Sequence, residues 1–236
     1  MANAMQDMGR SLRDMEAYYA ACFGLKITIR GLVVIGLAAR CLSPHSAPMD
    51  LTGKLLIAMP GMGDPRFEQT VILMCAHDAE GAMGLIINRP TPQLHFADLV
   101  KQIDLGKPLQ AEDPAASLPV HAGGPVEQGR GFVLHSPDYR GNESTLAVSD
   151  HFGMTATRDV LEDIAAGRGP HKALLALGYA GWSPGQLEGE IGRNGWLTAD
   201  ASPQIVFDTK DDAKWEATLA TLGVDPLMLS AEAGRA

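Results

Sequence analysis

The stretch Gly178–Leu197, GYAGWSPGQLEGEIGRNGWL, constrains the fold of this chain more than any other. Six glycines, two tryptophans and two glutamates share its 20 residues. Glycine lets backbone segments approach closely or take φ > 0. Tryptophan brings a large apolar face with one polar edge, and glutamate brings charge. No ordinary core segment needs that mixture; it describes a rigid surface feature built for contact. Lys172–Tyr179 is an apolar run of strand length. Ser183-Pro184-Gly185-Gln186 then opens a helix, with Ser183 as N-cap, Pro184 at the first helical position and Gln186 as the reciprocal partner of a capping box. Leu187 and Ile191 give that helix its buried face. Glu188 and Glu190 fall in the first turns, where the helix dipole favours negative charge. A functional role stands beside that structural one for Glu188, whereas Glu190 reads as a helix stabiliser.

The chain has 236 residues, is 46% hydrophobic and 20% charged, and carries a net charge of −9, the balance of a globular protein. Residues 1–48 hold five Lys/Arg and three Asp/Glu, so the remainder carries 14 positive and 25 negative side chains, a net −11. Such a body repels phosphate backbones unless its positive charges cluster. Beyond residue 48 no two Lys/Arg are adjacent. Direct nucleic-acid binding is therefore not expected. Of Cys22, Cys41 and Cys75, only Cys75 lies in the body, which implies no disulfide framework or metal motif. Cys75 sits in the apolar run 71–76 and reads as a buried, inert thiol; the alternative is a reactive thiolate beside His77.

Residues 1–48 look foreign to the rest. Gly31–Ala39 is apolar but too short to span a membrane, which takes about 20 residues. Asp7, Asp14 and Glu16 precede it, unlike the positive start of a signal peptide. These residues are expected to be an extension, disordered or produced by a misassigned start, ahead of a domain spanning 49–236. A cytoplasmic protein without a membrane segment is expected.

In the body, Lys54–Met59, Thr70–His77 and Ala82–Asn88 read as strands, the last two joined by a short turn as an antiparallel hairpin. Phe96, Leu99, Val100 and Ile103 keep helical spacing. Gly131–His135, Thr145–Ser149 and Gln204–Phe207 read as strands, and Thr157–Ala166 and Asp211–Leu222 as helices, the latter capped by Thr209. Interspersed strands and helices place the chain in the mixed α/β class.

Motifs for known chemistries fail. Pro60-Gly61-Met62-Gly63-Asp64 follows a strand, but Arg66 stands where a dinucleotide fingerprint needs glycine. It reads as a tight turn presenting Asp64 and Arg66. No Gly-x-Ser-x-Gly elbow occurs. The histidines show no zinc spacing. His77, His121 and His135, at strand ends, either satisfy backbone groups or assemble a site in space. Arg89, beside Asn88 and Pro90, could bind an anion, but pairing with a carboxylate is the safer expectation. No metal, cofactor or catalytic residue is assigned.

Three segments together carry a resemblance: Gly53–Pro90 (GKLLIAMPGMGDPRFEQTVILMCAHDAEGAMGLIINRP), His121–His135 (HAGGPVEQGRGFVLH) and Gly178–Leu197. With them the chain resembles the YqgE/AlgH family of bacterial proteins. The resemblance covers most of Met49–Ala236. It implies a mixed sheet flanked by helices, with a small additional α/β subdomain. Members are mostly uncharacterised, some being labelled transcriptional regulators, so no catalytic residues carry over. Candidate ligand-binding positions are Asp64, Arg66, His77, Asn88, Arg89, His135, Trp182, Gln186 and Glu188. Trp182 is expected to be partly exposed, as one wall of a contact site.

The leading expectation is a regulatory or binding protein that recognises a small molecule or a protein partner. An enzyme with a site assembled from His77, Arg89, His135 and Glu188 is the first alternative. A DNA-binding regulator is the second, disfavoured by charge.

Overall fold

A computed structural model describes residues 49–103, 109, 113–141 and 145–229. The extension expected at 1–48 lies outside the described residues, as does much of the loop expected at 106–118. Ten strands form the frame: β1 (Lys54–Ala58), β2 (Val71–Asp78), β3 (Gly81–Ile86), β4 (Pro90–His95), β5 (Pro119–Ala122), β6 (Val126–His135), β7 (Thr145–Ser149), β8 (Phe152–Thr155), β9 (Ala173–Trp182) and β10 (Trp196–Asp200). The α-helices among the described residues are α1 (Phe96–Gln102), α2 (Arg158–Ala165), α3 (Gln186–Gly192) and α4 (Lys214–Thr221).

The main sheet path runs β10-β1-β2-β3-β9-β6-β8-β7, with β4 and β5 attached beside β9. It is antiparallel and strongly curled, apart from one parallel pair, β5 with β9. The expected β2–β3 hairpin forms, with Ile72 opposite Ile86 and Asp78 opposite Gly81.

Both faces of the central strands are covered, so period-2 alternation sorts their side chains into two cores. Leu55, Ile57, Val71, Leu73 and Cys75 pack with Trp215 and Leu219 of α4. The intervening Leu56, Ala58, Ile72 and Met74 pack with Trp182, Leu187 and Trp196. A third cluster joins Phe96 and Val100 of α1 to Val160 and Ile164 of α2 over Val120, Val133 and Leu175. The resemblance implied a small additional α/β subdomain. The described residues nevertheless belong to one compact unit, because β9 serves the main sheet and β5 alike.

Three boundaries correct the sequence reading. Gln204–Asp208 is a wide helical turn rather than a strand. Thr209 bonds back to the Gln204 carbonyl instead of capping the next helix, which begins at Lys214. Strand β9 continues to Trp182, and α3 starts at Gln186 after Gly185 in a left-handed conformation (φ 74°), so Ser183 is not its N-cap. Half of the expected reciprocal pair survives: the Ser183 backbone N–H donates to Gln186 Oε1 at 3.1 Å.

Between β5 and β6 the backbone runs against β9 at Gly123-Gly124. A Cβ on Gly124 would fall 2.0 Å from the Tyr179 carbonyl carbon, and one on Gly123 2.3 Å from the Gly178 oxygen. Only glycine permits that contact. It is also where β6 parts from β9: Val126 pairs with Tyr179, then the register breaks until Gly131 meets Leu177.

Candidate functional site

Glu190 is the centre of the region the opening sequence feature pointed to. Its Oε2 accepts hydrogen bonds from Trp182 Nε1 and Trp196 Nε1, each at 2.9 Å. Its Oε1 accepts from Gln186 Nε2 at 3.0 Å. Burial on its own would raise the carboxyl pKa. Hydrogen bonds from Trp196, Gln186 and Trp182, with the nearby Arg193 charge, outweigh it and hold Glu190 below its ordinary value. The backbone repeats the tie. Asn194 (φ 58°) and Gly195 close α3 as a Schellman motif: Gly195 N–H donates to the Glu190 carbonyl and Asn194 N–H to that of Ile191. One residue thus fixes the helix, its exit and two indoles.

The two indoles meet edge to face at 5.9 Å, and Phe67 meets Trp196 the same way at 5.6 Å. Phe67 comes from the loop after β1. There Arg66 grips the Asp64 carboxylate, with Nη2 to Oδ2 at 2.6 Å and Nε to Oδ1 at 3.0 Å. Side-chain and then backbone bonds from Arg66 hold the Asp64 carboxyl below its usual range.

Between this loop and α3 opens a cleft of about 780 Å³, within the range of about 300–1,000 Å³ common for ligand sites. Asp64, Arg66, Trp182 and Gln186 of the expected candidates line it, with Glu190 and Arg193. Trp182 is only 7% exposed, against the expected partial exposure. Its indole must satisfy its N–H on Glu190 while its ring fills the core between β9 and α3, and both demands bury it.

The other candidates lie elsewhere. Asn88 and Arg89 brace the cleft loop from behind: Asn88 Nδ2 donates to the Gln69 carbonyl at 2.9 Å, and Arg89 Nη2 donates to that of Glu68. Arg89 therefore meets a backbone oxygen rather than the expected carboxylate. His77 Nδ1 accepts from the Leu51 N–H at 3.1 Å, so Nε2 carries the proton and donates to Glu188 Oε1, also at 3.1 Å. His135 is fully buried between the Ser136 carbonyl and Thr155 Oγ1, and burial lowers its pKa. His121 bridges the Leu175 carbonyl and Asp211, which also receives Lys214 Nζ at 2.8 Å. His77, His121 and His135 thus engage three different sets of partners. Cys75 is buried, and desolvation pushes its thiol up to about 12, the inert reading. Among the described residues no three His, Cys, Asp or Glu side chains group as metal ligands, and no helix is long and apolar enough to cross a membrane.

Sequence reasoning read Glu190 as a helix stabiliser, outside the candidate set, and did not single out Arg193. The available signal for Glu190 was a need: two tryptophans flanking one short helix require acceptors for their N–H groups once buried.

The chain belongs to the AlgH-like family, whose profile matches residues 55–227. It is 62% identical over 188 residues to a UPF0301 protein of Ruegeria pomeroyi, covering 80% of this chain and 100% of that protein. To a UPF0301 protein of Paracoccus denitrificans it is 56% identical over 189 residues, covering 79% and 97% respectively. Among solved structures it is similar to the solution structure of the AlgH protein from Pseudomonas aeruginosa. The TM-score is 0.66 at 44% identity, covering 82% of this chain and 100% of that one. Protein DIP2367 of Corynebacterium diphtheriae shares the fold, with a TM-score of 0.58 at 19% identity over 76% of this chain and 90% of that one.

Proposed function

We propose that this protein acts by binding, and that the cleft between the Asp64–Phe67 loop and α3 is where a regulatory ligand, small molecule or protein partner, is recognised. The observation that carries this reading is the Glu190 carboxylate, saturated on one oxygen by two indoles and held ionised. A carboxylate so engaged is a poor general base, because taking a proton would sacrifice the bonds that position it. It is a good organiser of a rigid wall. Of the four residues of the enzymatic alternative, His77 and Glu188 do meet, Nε2 to Oε1 at 3.1 Å, whereas His135 is engaged by Ser136 and Thr155 and Arg89 by the Glu68 carbonyl. The His77–Glu188 pair is joined by neither of the other two and lines no part of the cleft, which supports binding there over the four-residue acid–base site.

Tryptophan indole resonances test it. Trp182 and Trp196 report on the cleft, while Trp215, whose Nε1 donates to the Ala58 carbonyl at 3.0 Å, serves as an internal control in the other core. In a fragment and peptide screen by NMR, saturable shifts of the Trp182 and Trp196 indoles with Trp215 unmoved support the reading. Saturable binding that moves only residues remote from the cleft refutes it.

A further inference from the structure

The sheet is incomplete at the cleft. Over Ala173–Tyr179, β9 has β6 on one side. Its last three residues, Ala180–Trp182, pair with Gly84, Met83 and Ala82 of β3 on the other side. On the side that β6 has left, no strand among the described residues pairs with them. Gly181 is exposed there and lines the cleft, with Pro125 and Val126 at its mouth. A sheet edge offers unpaired backbone donors and acceptors to a further extended chain.

The side chains next to that edge have the complementary chemistry. Gln186 uses one Nε2 hydrogen on Glu190, and its Oε1 accepts from Ser183, so its second N–H is uncommitted. Glu190 Oε1 accepts that single bond and keeps a lone pair. A donor and an acceptor therefore stand side by side, the pattern that matches an amide. Asp64 is neutralised by its fork to Arg66. Arg193 is exposed, and no hydrogen bond to its guanidinium is formed among the described residues. Partly exposed Met62 and Phe67 supply apolar surface on the facing loop.

Resting on the binding reading above, we propose that the cleft's occupant is an extended peptide segment of a partner protein, apolar at alternate positions and carrying one carboxylate. Its backbone adds a short strand beside Ala180–Trp182. Its amides meet the Gln186–Glu190 pair, its apolar side chains face Met62 and Phe67, and its carboxylate meets Arg193. A free small molecule explains the volume but not the open strand edge.

The experiment titrates the full chain with fluorescein-labelled heptapeptide pools, positional mixtures of defined composition, read by anisotropy. Expected are saturable binding of pools with alternating aliphatic or aromatic residues and one Asp or Glu, and at least a tenfold loss when alternate backbone nitrogens are methylated. Arg193→Gln should weaken acidic pools about tenfold while leaving neutral pools within twofold. Binding indifferent to backbone methylation, or equal loss of acidic and neutral pools in Arg193→Gln, overturns the strand-addition proposal. So does saturation of the Trp182 and Trp196 indole resonances by small fragments when every peptide pool fails, an outcome that leaves the binding reading standing. Failure of both probes at the cleft overturns both.

Discussion

Replacing Glu190 isolates what holds this region together. In Glu190→Ala three hydrogen bonds disappear, and the indole N–H groups of Trp182 and Trp196, side chains 7% and 2% exposed, lose their acceptor. A buried donor left unpaired costs about 1–3 kcal/mol. The cleft admits water to the carboxylate's position, so the lower half of that range applies, and the two indoles together cost about 2–4 kcal/mol. Glu190→Gln is gentler. Its amide oxygen can still accept from both indoles, but its NH2 then opposes the NH2 of Gln186, and the two retained bonds lose their charge assistance, for about 1–2 kcal/mol. Urea denaturation followed by fluorescence should therefore rank wild type above Glu190→Gln above Glu190→Ala, with m unchanged. Acid adds an independent check. The folded Glu190 carboxyl lies below its ordinary value of 4.5. Its contribution is full above the unfolded pKa and disappears as pH falls through the lower folded value. The gap between wild type and Glu190→Gln should thus close below about pH 4.5 and stay constant from pH 6 to 8. A Glu190→Ala variant within about 0.5 kcal/mol of wild type refutes the reasoning.

Trp182→Ala should cost about 3–5 kcal/mol, as a large core residue does, measured by the same denaturation; a loss under about 1 kcal/mol would return Trp182 to the surface role. His135 is kept below its ordinary 6.5 by burial, so the unfolded chain takes up protons first as pH falls, and stability should decline from about pH 6.5 downward. That slope should flatten in His135→Asn, and an unchanged slope would assign it to other groups. Gly124→Ala should prevent native folding, because its Cβ would sit 2.0 Å from the Tyr179 backbone; a native far-UV spectrum and melting point would show that the two segments can part. The isolated protein should give no sequence-dependent DNA binding at physiological salt, given the net −11 beyond residue 48, and submicromolar, sequence-dependent anisotropy would reverse that.

The central strands were readable because their sequence shows what their environment does. Leu55–Ala58 and Val71–Cys75 are buried on both faces, so each is an uninterrupted apolar run of strand length bounded by turns. The unread strands lack that signature. β4 begins with Pro90 and contains Pro92, and it meets β5 only at its two ends, Pro90 opposite His121 and His95 opposite Pro119. Proline is tolerated there because an edge need not donate along its length. Gln204–Phe207 failed in the opposite sense. Its β-branched and aromatic residues favour a strand, but Ile205 and Val206 are buried within a wide turn that Thr209 N–H closes onto the Gln204 carbonyl. A short apolar run carries no period by which to tell the two apart.

The cleft was half legible, for a related reason. Glycine and tryptophan density announced a contact region, and four of nine candidate residues line it. What sequence spacing could not supply was the acceptor. Glu190 lies eight residues after Trp182 and six before Trp196, but the three stand on a strand, a helix and a second strand, so no single period relates them. They become one contact only because β9 runs on to Trp182, α3 turns back after a left-handed Gly185, and the Schellman closure at Asn194-Gly195 returns the chain into β10. Beside these side chains, where β6 has parted from β9, Ala180–Trp182 are left paired on one side alone. The rigid wall thus stands directly beside the open strand edge, because Trp182 belongs to both, so a change that loosens Glu190 should weaken occupancy of the cleft.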